Sequence, residues 1–188
     1  MPGLVLNGLP RNGTTAQRPA NAEVGQPYFD ETLGGDQIYT ADGWKPSGGI
    51  FAKEVTFTEI GGALTYTGSV TIPAGATIVD VIVHGTALWD NAGAVTMKVG
   101  LDGLDDDGFF TAVNLKATDL LAGESISFAQ AGGKAGADIA NSQVMRRYLA
   151  TARVLSGIII TASTGGSTGR TRMVVIYALP TVTAATSA

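Results

Sequence analysis

From Ala52 to Ile60 apolar and polar residues alternate, with Val55 and Phe57 on one face. That two-residue period is the mark of a half-buried β-strand. The same pattern gives strands over 63–72, 77–89, 94–101, 109–115, 124–128, 154–163 and 170–179. Turn residues separate them, including Gly61-Gly62, Pro73 to Gly75, Asn91 to Gly93 and Thr164 to Gly169. Within 77–89, Val79, Val81 and Val83 fall on one face and Ile78, Asp80 and Ile82 on the other. The valine face is expected to meet a core or a neighbouring subunit. Residues 117–123 read as a short helical turn or a bend, 129–144 as a long glycine-rich loop, and 145–152 suits strand or helix equally.

Roughly eight closely spaced strands with hardly any helix predict an all-β fold, a β-sandwich or jelly-roll-like domain over 50–180. Ahead of it, residues 1–22 are rich in Gly, Pro, Asn and Thr and lack periodicity, which reads as an extended arm. Residues 23–49 hold a small β-hairpin and a linker: "PYFDE", a turn at "LGGD", then "QIYTA" and the exit "DGW". A tail, 181–188, closes the chain. Tyr28, Phe29, Ile38, Tyr39 and Trp44 concentrate large side chains in this hairpin. A lone two-stranded hairpin is marginal in water, so these residues must rest on the main domain or on a partner.

Composition narrows the function. Apolar residues make up 45% of the 188 and charged residues only 15%, and there are 26 glycines. The apolar share is too high for a disordered chain. A net charge of −4 argues against a general nucleic-acid binder. The charge is uneven: residues 1–138 carry seven Lys/Arg against all 16 Asp/Glu, while 139–188 carry five arginines and no acid. Without cysteine there are no disulfides and no thiolate metal sites. No run approaches the ~18 apolar residues of a membrane helix, and the N-terminus is too short and too broken by Pro and Gly for a signal peptide. The expectation is a soluble protein made in the cytoplasm, with no membrane partner.

Catalysis finds little support. His84 is the sole histidine and lies inside a strand pattern, where a structural role is expected. Gly165 to Gly169 spell GxSxG, but the stretch leads into a strand where a nucleophile elbow needs a helix, and "GGSTGRT" also lacks the lysine of a phosphate loop, so it reads as a hairpin turn. The chain is therefore expected to be no enzyme and to carry no cofactor. "DGLDDDG" (102–108) is the most metal-like stretch. Asp105, Asp106 and Asp107 are weak calcium candidates, but the spacing fails the EF-hand pattern, and a solvated turn is the simpler reading.

"RPANAEVGQPYFDETLGGDQIYTADGW" (18–44) resembles a segment of tailed-phage virion proteins. The frame is Arg18, Pro19, Val24, Gly25, Gln26, Tyr28, Phe29, Asp30, Leu33, Gly34, Gly43 and Trp44. The second strand departs from the usual "GKPIWWNGTAW". A further stretch, "VTIPAGATIVDVIVHGTALWDNAGAVTMKVGLDGLDDDGFF", is similar to a β domain of phage virion proteins. The resemblance implies a small adaptor module on a non-enzymatic structural protein. With it, the short chain, the lack of a long shaft and an aromatic share of only 7% favour a capsid decoration (cement) protein on the outer surface of the head, expected as a homotrimer partnered with the major capsid protein. The alternative is a short tail fibre, adaptor or receptor-binding protein. On this reading Tyr28, Phe29, Ile38, Tyr39 and Trp44 anchor the hairpin, and Arg11 and Arg18 meet acidic groups of the capsid.

Overall fold

The computed structural model describes residues 12–41, 43–47, 49–116, 119–140 and 147–179. Its strands in chain order are β1 (Asn12–Gly13), β2 (Pro27–Asp30), β3 (Gly35–Thr40), β4 (Gly43–Pro46), β5 (Gly49–Thr58), β6 (Thr65–Ile72), β7 (Thr77–Ala87), β8 (Val95–Leu101), β9 (Asp105–Asn114), β10 (Ser125–Ile126), β11 (Arg153–Thr161) and β12 (Arg170–Leu179). Two compact units result. The larger is Ala52–Tyr177; the smaller takes the chain before Ala52 and after Tyr177.

The strands of the larger unit form two four-stranded sheets, in the orders β10-β7-β12-β5 and β6-β11-β8-β9. Taken from the outside inward, β5 lies beside β12, β6 beside β11, β7 beside β10 and β8 beside β9. A long ribbon of strand pairs rolled in this way is a jelly roll, and the expected all-β sandwich is what forms. The core lies between the sheets. Phe57, Val81, Val83, Met173, Val175 and Tyr177 come from one sheet, and Met97, Val99, Leu101, Phe110, Leu155 and Ile159 from the other, all buried. Burial pushes the Tyr177 hydroxyl up to about 12. Gly157 on β11 lets the layers approach: a Cβ there would stand 2.6 Å from Met97 Cε and 2.8 Å from Phe57 Cζ.

Several local expectations change. Ile78, Val81 and Val83 point inward while Val79 is 39% exposed, so the inward parity shifts between Ile78 and Val81. At that point Asp80 Oδ1 accepts the amides of Val81 (2.8 Å) and Phe128 (3.0 Å). The turn after β8 is Asp102 to Leu104, and Asp105, Asp106 and Asp107 already belong to β9. Residues 117 and 118 lie outside the described residues; of the helical turn or bend read from the sequence, the structure has the bend, at Asp119, with a turn at Ala122 and Gly123. The glycine-rich loop contains 3-10 turns at Phe128–Gln130 and Gly132–Lys134, and Ala135 bridges to Phe110. Tyr148 makes an isolated bridge to Thr77.

Candidate docking module

The smaller unit is built on one sheet, β1-β2-β3-β4. The hairpin β2/β3 pairs Tyr28 with Gln37 and Phe29 with Asp36, and the chain then returns as a third strand, pairing Tyr39 with Trp44 and Ile38 with Lys45. Residues 43–46, read from sequence as an exit turn and linker, are therefore a strand. Directly opposed residues share a face. Tyr28, Asp30, Gln37, Tyr39 and Trp44 thus lie on one side, and Pro27, Phe29, Asp36, Ile38 and Lys45 on the other.

The first face is covered by the chain's own arm. Asn12 and Gly13 run parallel to Phe29 and Asp30, and Thr15–Gln17 form a 3-10 turn. Tyr28 is buried, and its hydroxyl donates to the Thr14 carbonyl at 3.0 Å. Gly13 makes room for that ring: a Cβ there would lie 2.6 Å from the Tyr28 oxygen, and its φ is +152°. Burial raises the Tyr28 pKa, Asp30 and Glu31 add to the rise, and Arg18 opposes it. Trp44 packs against Tyr28 and Tyr39 at ring separations of 5.5 and 5.3 Å, and its indole N–H donates to the Pro19 carbonyl at 3.4 Å.

Asp30 is the electrostatic centre of this face. Its carboxylate has no exposed surface, and the Arg18 guanidinium closes on Oδ2 through both Nη2 (2.6 Å) and Nε (2.7 Å). The Thr15 hydroxyl donates to the same carboxylate at 2.8 Å, and the Leu33 amide reaches Oδ1 at 2.9 Å. A buried charge satisfied in this way fixes the arm on the hairpin. Arg18, expected to meet acidic groups of a partner, has its guanidinium engaged inside the module. Arg11 lies outside the described residues. Sequence reasoning gave Asp30 and Thr15 no role. The one signal was a carboxylate on the strand face of Tyr28, which would need a cation to be buried.

The opposite face is open. Phe29 is 43% and Ile38 37% exposed, and Val24, in the turn before β2, is 71% exposed. The five large side chains thus divide: Tyr28, Tyr39 and Trp44 hold the module together, while Phe29 and Ile38 face outward.

Elsewhere the candidate chemistry resolves into structural contacts. Lys98 pairs with Asp106 at 2.6 Å. A hydrogen bond to Asp105 heads the causes that raise the Asp107 pKa, ahead of burial. Among the described residues no cluster of three or more His, Asp or Glu side chains is arranged to hold a metal ion. His84 stands in a polar row that takes one side chain from each strand of its sheet: Ser125, His84, Arg172 and Glu54. Its Nδ1 is 2.5 Å from Ser125 Oγ, and Arg172 Nη1 is 3.6 Å from Glu54. Burial lowers the His84 pKa, Arg172 lowers it further, and Glu54 works against both. No helix among the described residues is long and apolar enough to cross a membrane.

No family model matches the chain, and no curated protein does. Among solved structures it is similar to a chain of the acidic stable capsid of Helicobacter pylori bacteriophage KHP30, at 15% identity and a TM-score of 0.45 over 71% of this chain and 90% of that one. It is similar to a chain of the cyanophage Pam1 capsid asymmetric unit, at 20% identity and a TM-score of 0.46 over 72% and 87%. A chain from the capsid of Ralstonia phage GP4 matches at 15% identity and a TM-score of 0.42 over 72% and 86%. Each is a distant likeness.

Proposed function

We propose that this chain is a non-enzymatic structural component of a tailed-phage virion. It acts as a decoration (cement) protein on the outer surface of the head and bridges subunits of the major capsid protein. The reading is supported by the 18–44 segment, which resembles a virion adaptor, and above all by how that segment folds. The arm and the Arg18–Asp30 pair seal one face of the small sheet, so the module does not need its outward side chains for its own stability. Phe29 and Ile38 remain exposed on the other face, and Val24 is exposed in the preceding turn. Exposed apolar side chains grouped on a rigid sheet suit a partner surface. The mechanism is mechanical: each bridging contact lowers the free energy of the closed shell relative to the ruptured one.

The experiment is to add purified protein to heads that lack it and to image the particles. Labelled head faces, lost on Phe29→Ala with Ile38→Ala, are the expected result. Label confined to tails or to host cells would replace this reading with the fibre or adaptor role.

A further inference from the structure

A jelly roll is an open sandwich, so its sheets end in edge strands with unpaired main-chain groups, and proteins blunt such edges with charge, bulges, shortness or cover. Three of the four edges here are managed in that way. β5 carries Lys53 and Glu54. β10 is two residues long. β9 begins with three aspartates, pairs with β8 through two register shifts, and is covered where Gly136 donates to the Phe109 carbonyl and Asp138 to that of Gly108.

β6 is different. Its sequence, "TYTGSVTI", holds neither charge nor proline, and it pairs with β11 in unbroken register from Thr65 opposite Ile160 to Ile72 opposite Arg153. Thr65, Thr67, Ser69 and Thr71 are exposed. Hydrogen bonding fixes which main-chain groups face outward. The Val154 carbonyl, opposite Thr71, accepts from Asp102 on the β8 side, so Val154 turns away from β6. The Thr71 carbonyl points outward in turn and accepts the Lys53 ammonium at 3.0 Å. With the two-residue period, the N–H and C=O groups of Thr65, Thr67 and Ser69 also point outward, and none is bonded to a described residue.

We propose that β6 is a self-association edge: two copies of this chain join β6 to β6, antiparallel, about a two-fold axis at Thr67. That register sets Thr67 opposite its own copy and Thr65 opposite Ser69. All three outward-pointing residues then exchange main-chain hydrogen bonds, and hydroxyl side chains lie opposite one another. An isologous contact sets a strand against itself, and an uncharged strand meets no like charge. The two Lys53 side chains sit at the far ends of the paired stretch, about 27 Å apart at roughly 3.4 Å per residue. The exposed side chains of β6 are short hydroxyls, whereas addition of a foreign strand draws its specificity from side-chain pockets.

Sedimentation equilibrium of the full chain across a wide concentration range tests this. A dimer is expected. Thr67→Lys and Thr67→Glu each place like charges at the axis from an exposed position, so each should raise the dimer dissociation constant by about tenfold or more at unchanged melting temperature. An equimolar mixture of the two variants should recover the dimer. Hydrogen exchange at the Thr65, Thr67 and Ser69 amides should slow as wild-type protein is concentrated. A monomer at all concentrations, a trimer or other oligomer indifferent to both variants, variants that fail to recombine, or edge amides that exchange independently of concentration would each overturn the proposal.

Discussion

Arg18 closes on the buried carboxylate of Asp30 at 2.6 Å, the charged contact among those that tie the arm to the sheet it covers. Removing one partner of a buried pair costs roughly 3–5 kcal/mol, because the other charge is stranded. Arg18→Ala should therefore cut exchange protection of the Tyr28 and Tyr39 amides by about that free energy, read by native-state hydrogen exchange. Protection of the jelly-roll core at Val83 and Val175 serves as the internal reference. Unchanged protection at Tyr28 would mean the pair does not hold the arm.

The two faces of the module should separate under substitution. Tyr28→Ala removes a buried ring and its bond to the Thr14 carbonyl, and the cost should be roughly 3–5 kcal/mol of local stability. Phe29→Ala, on the outward face, should stay within about 1 kcal/mol by denaturant unfolding. A large loss of stability from Phe29→Ala would contradict its assignment to the outer face.

Sheet separation in the larger unit depends on Gly157. A methyl group there would crowd Met97, Phe57 and Met173, all within 3.2 Å of the added atom. These contacts are to side-chain atoms, so partial relief is available, and Gly157→Ala should destabilise by about 1–3 kcal/mol. Urea unfolding monitored at the tyrosines would measure it.

His84 sets a pH dependence. Its pKa in the folded chain lies below the ordinary value of 6.5, through burial first and Arg172 second. The unfolded chain therefore binds the proton more readily. The contribution of His84 to stability is full above the unfolded pKa and is lost as the pH falls through the folded one. As the sole histidine it gives a single ring signal in an NMR titration. A midpoint at or above 6.5 would refute the burial argument, and His84→Gln should flatten the acid limb of the stability curve.

The aspartates of β9 predict an absence of metal dependence. Lys98 engages Asp106, and Asp107 shares a hydrogen bond with Asp105. Thermal melts with calcium and with EDTA should coincide. A calcium-dependent rise, abolished by Asp105→Asn, would restore the metal reading.

Much of this was legible in the linear chain. The period of two marked the strands of the larger unit, and turn residues marked their ends, because side-chain alternation and backbone turn preference are local properties. The lack of charge in 65–72 could be read in the same way. What alternation gives is the faces of a strand, never its neighbours. Val79 shows a second limit: the pattern grouped it with Val81 and Val83, yet it is 39% exposed while they are buried, and the two amides that Asp80 accepts beside it were not legible in the alternation.

Sequence by itself determined an all-β chain and an aromatic-rich N-terminal segment. Only the tertiary structure decided that β5 lies beside β12 and β6 beside β11, leaving β6 at the edge of its sheet among the described residues. It alone showed that Tyr28 and Trp44 rest on the protein's own arm while Phe29 and Ile38 look outward. The physical reason is the same in each case. A strand's neighbour is chosen by hydrogen bonds and burial between residues far apart in the chain, and the nearby sequence carries no record of that choice.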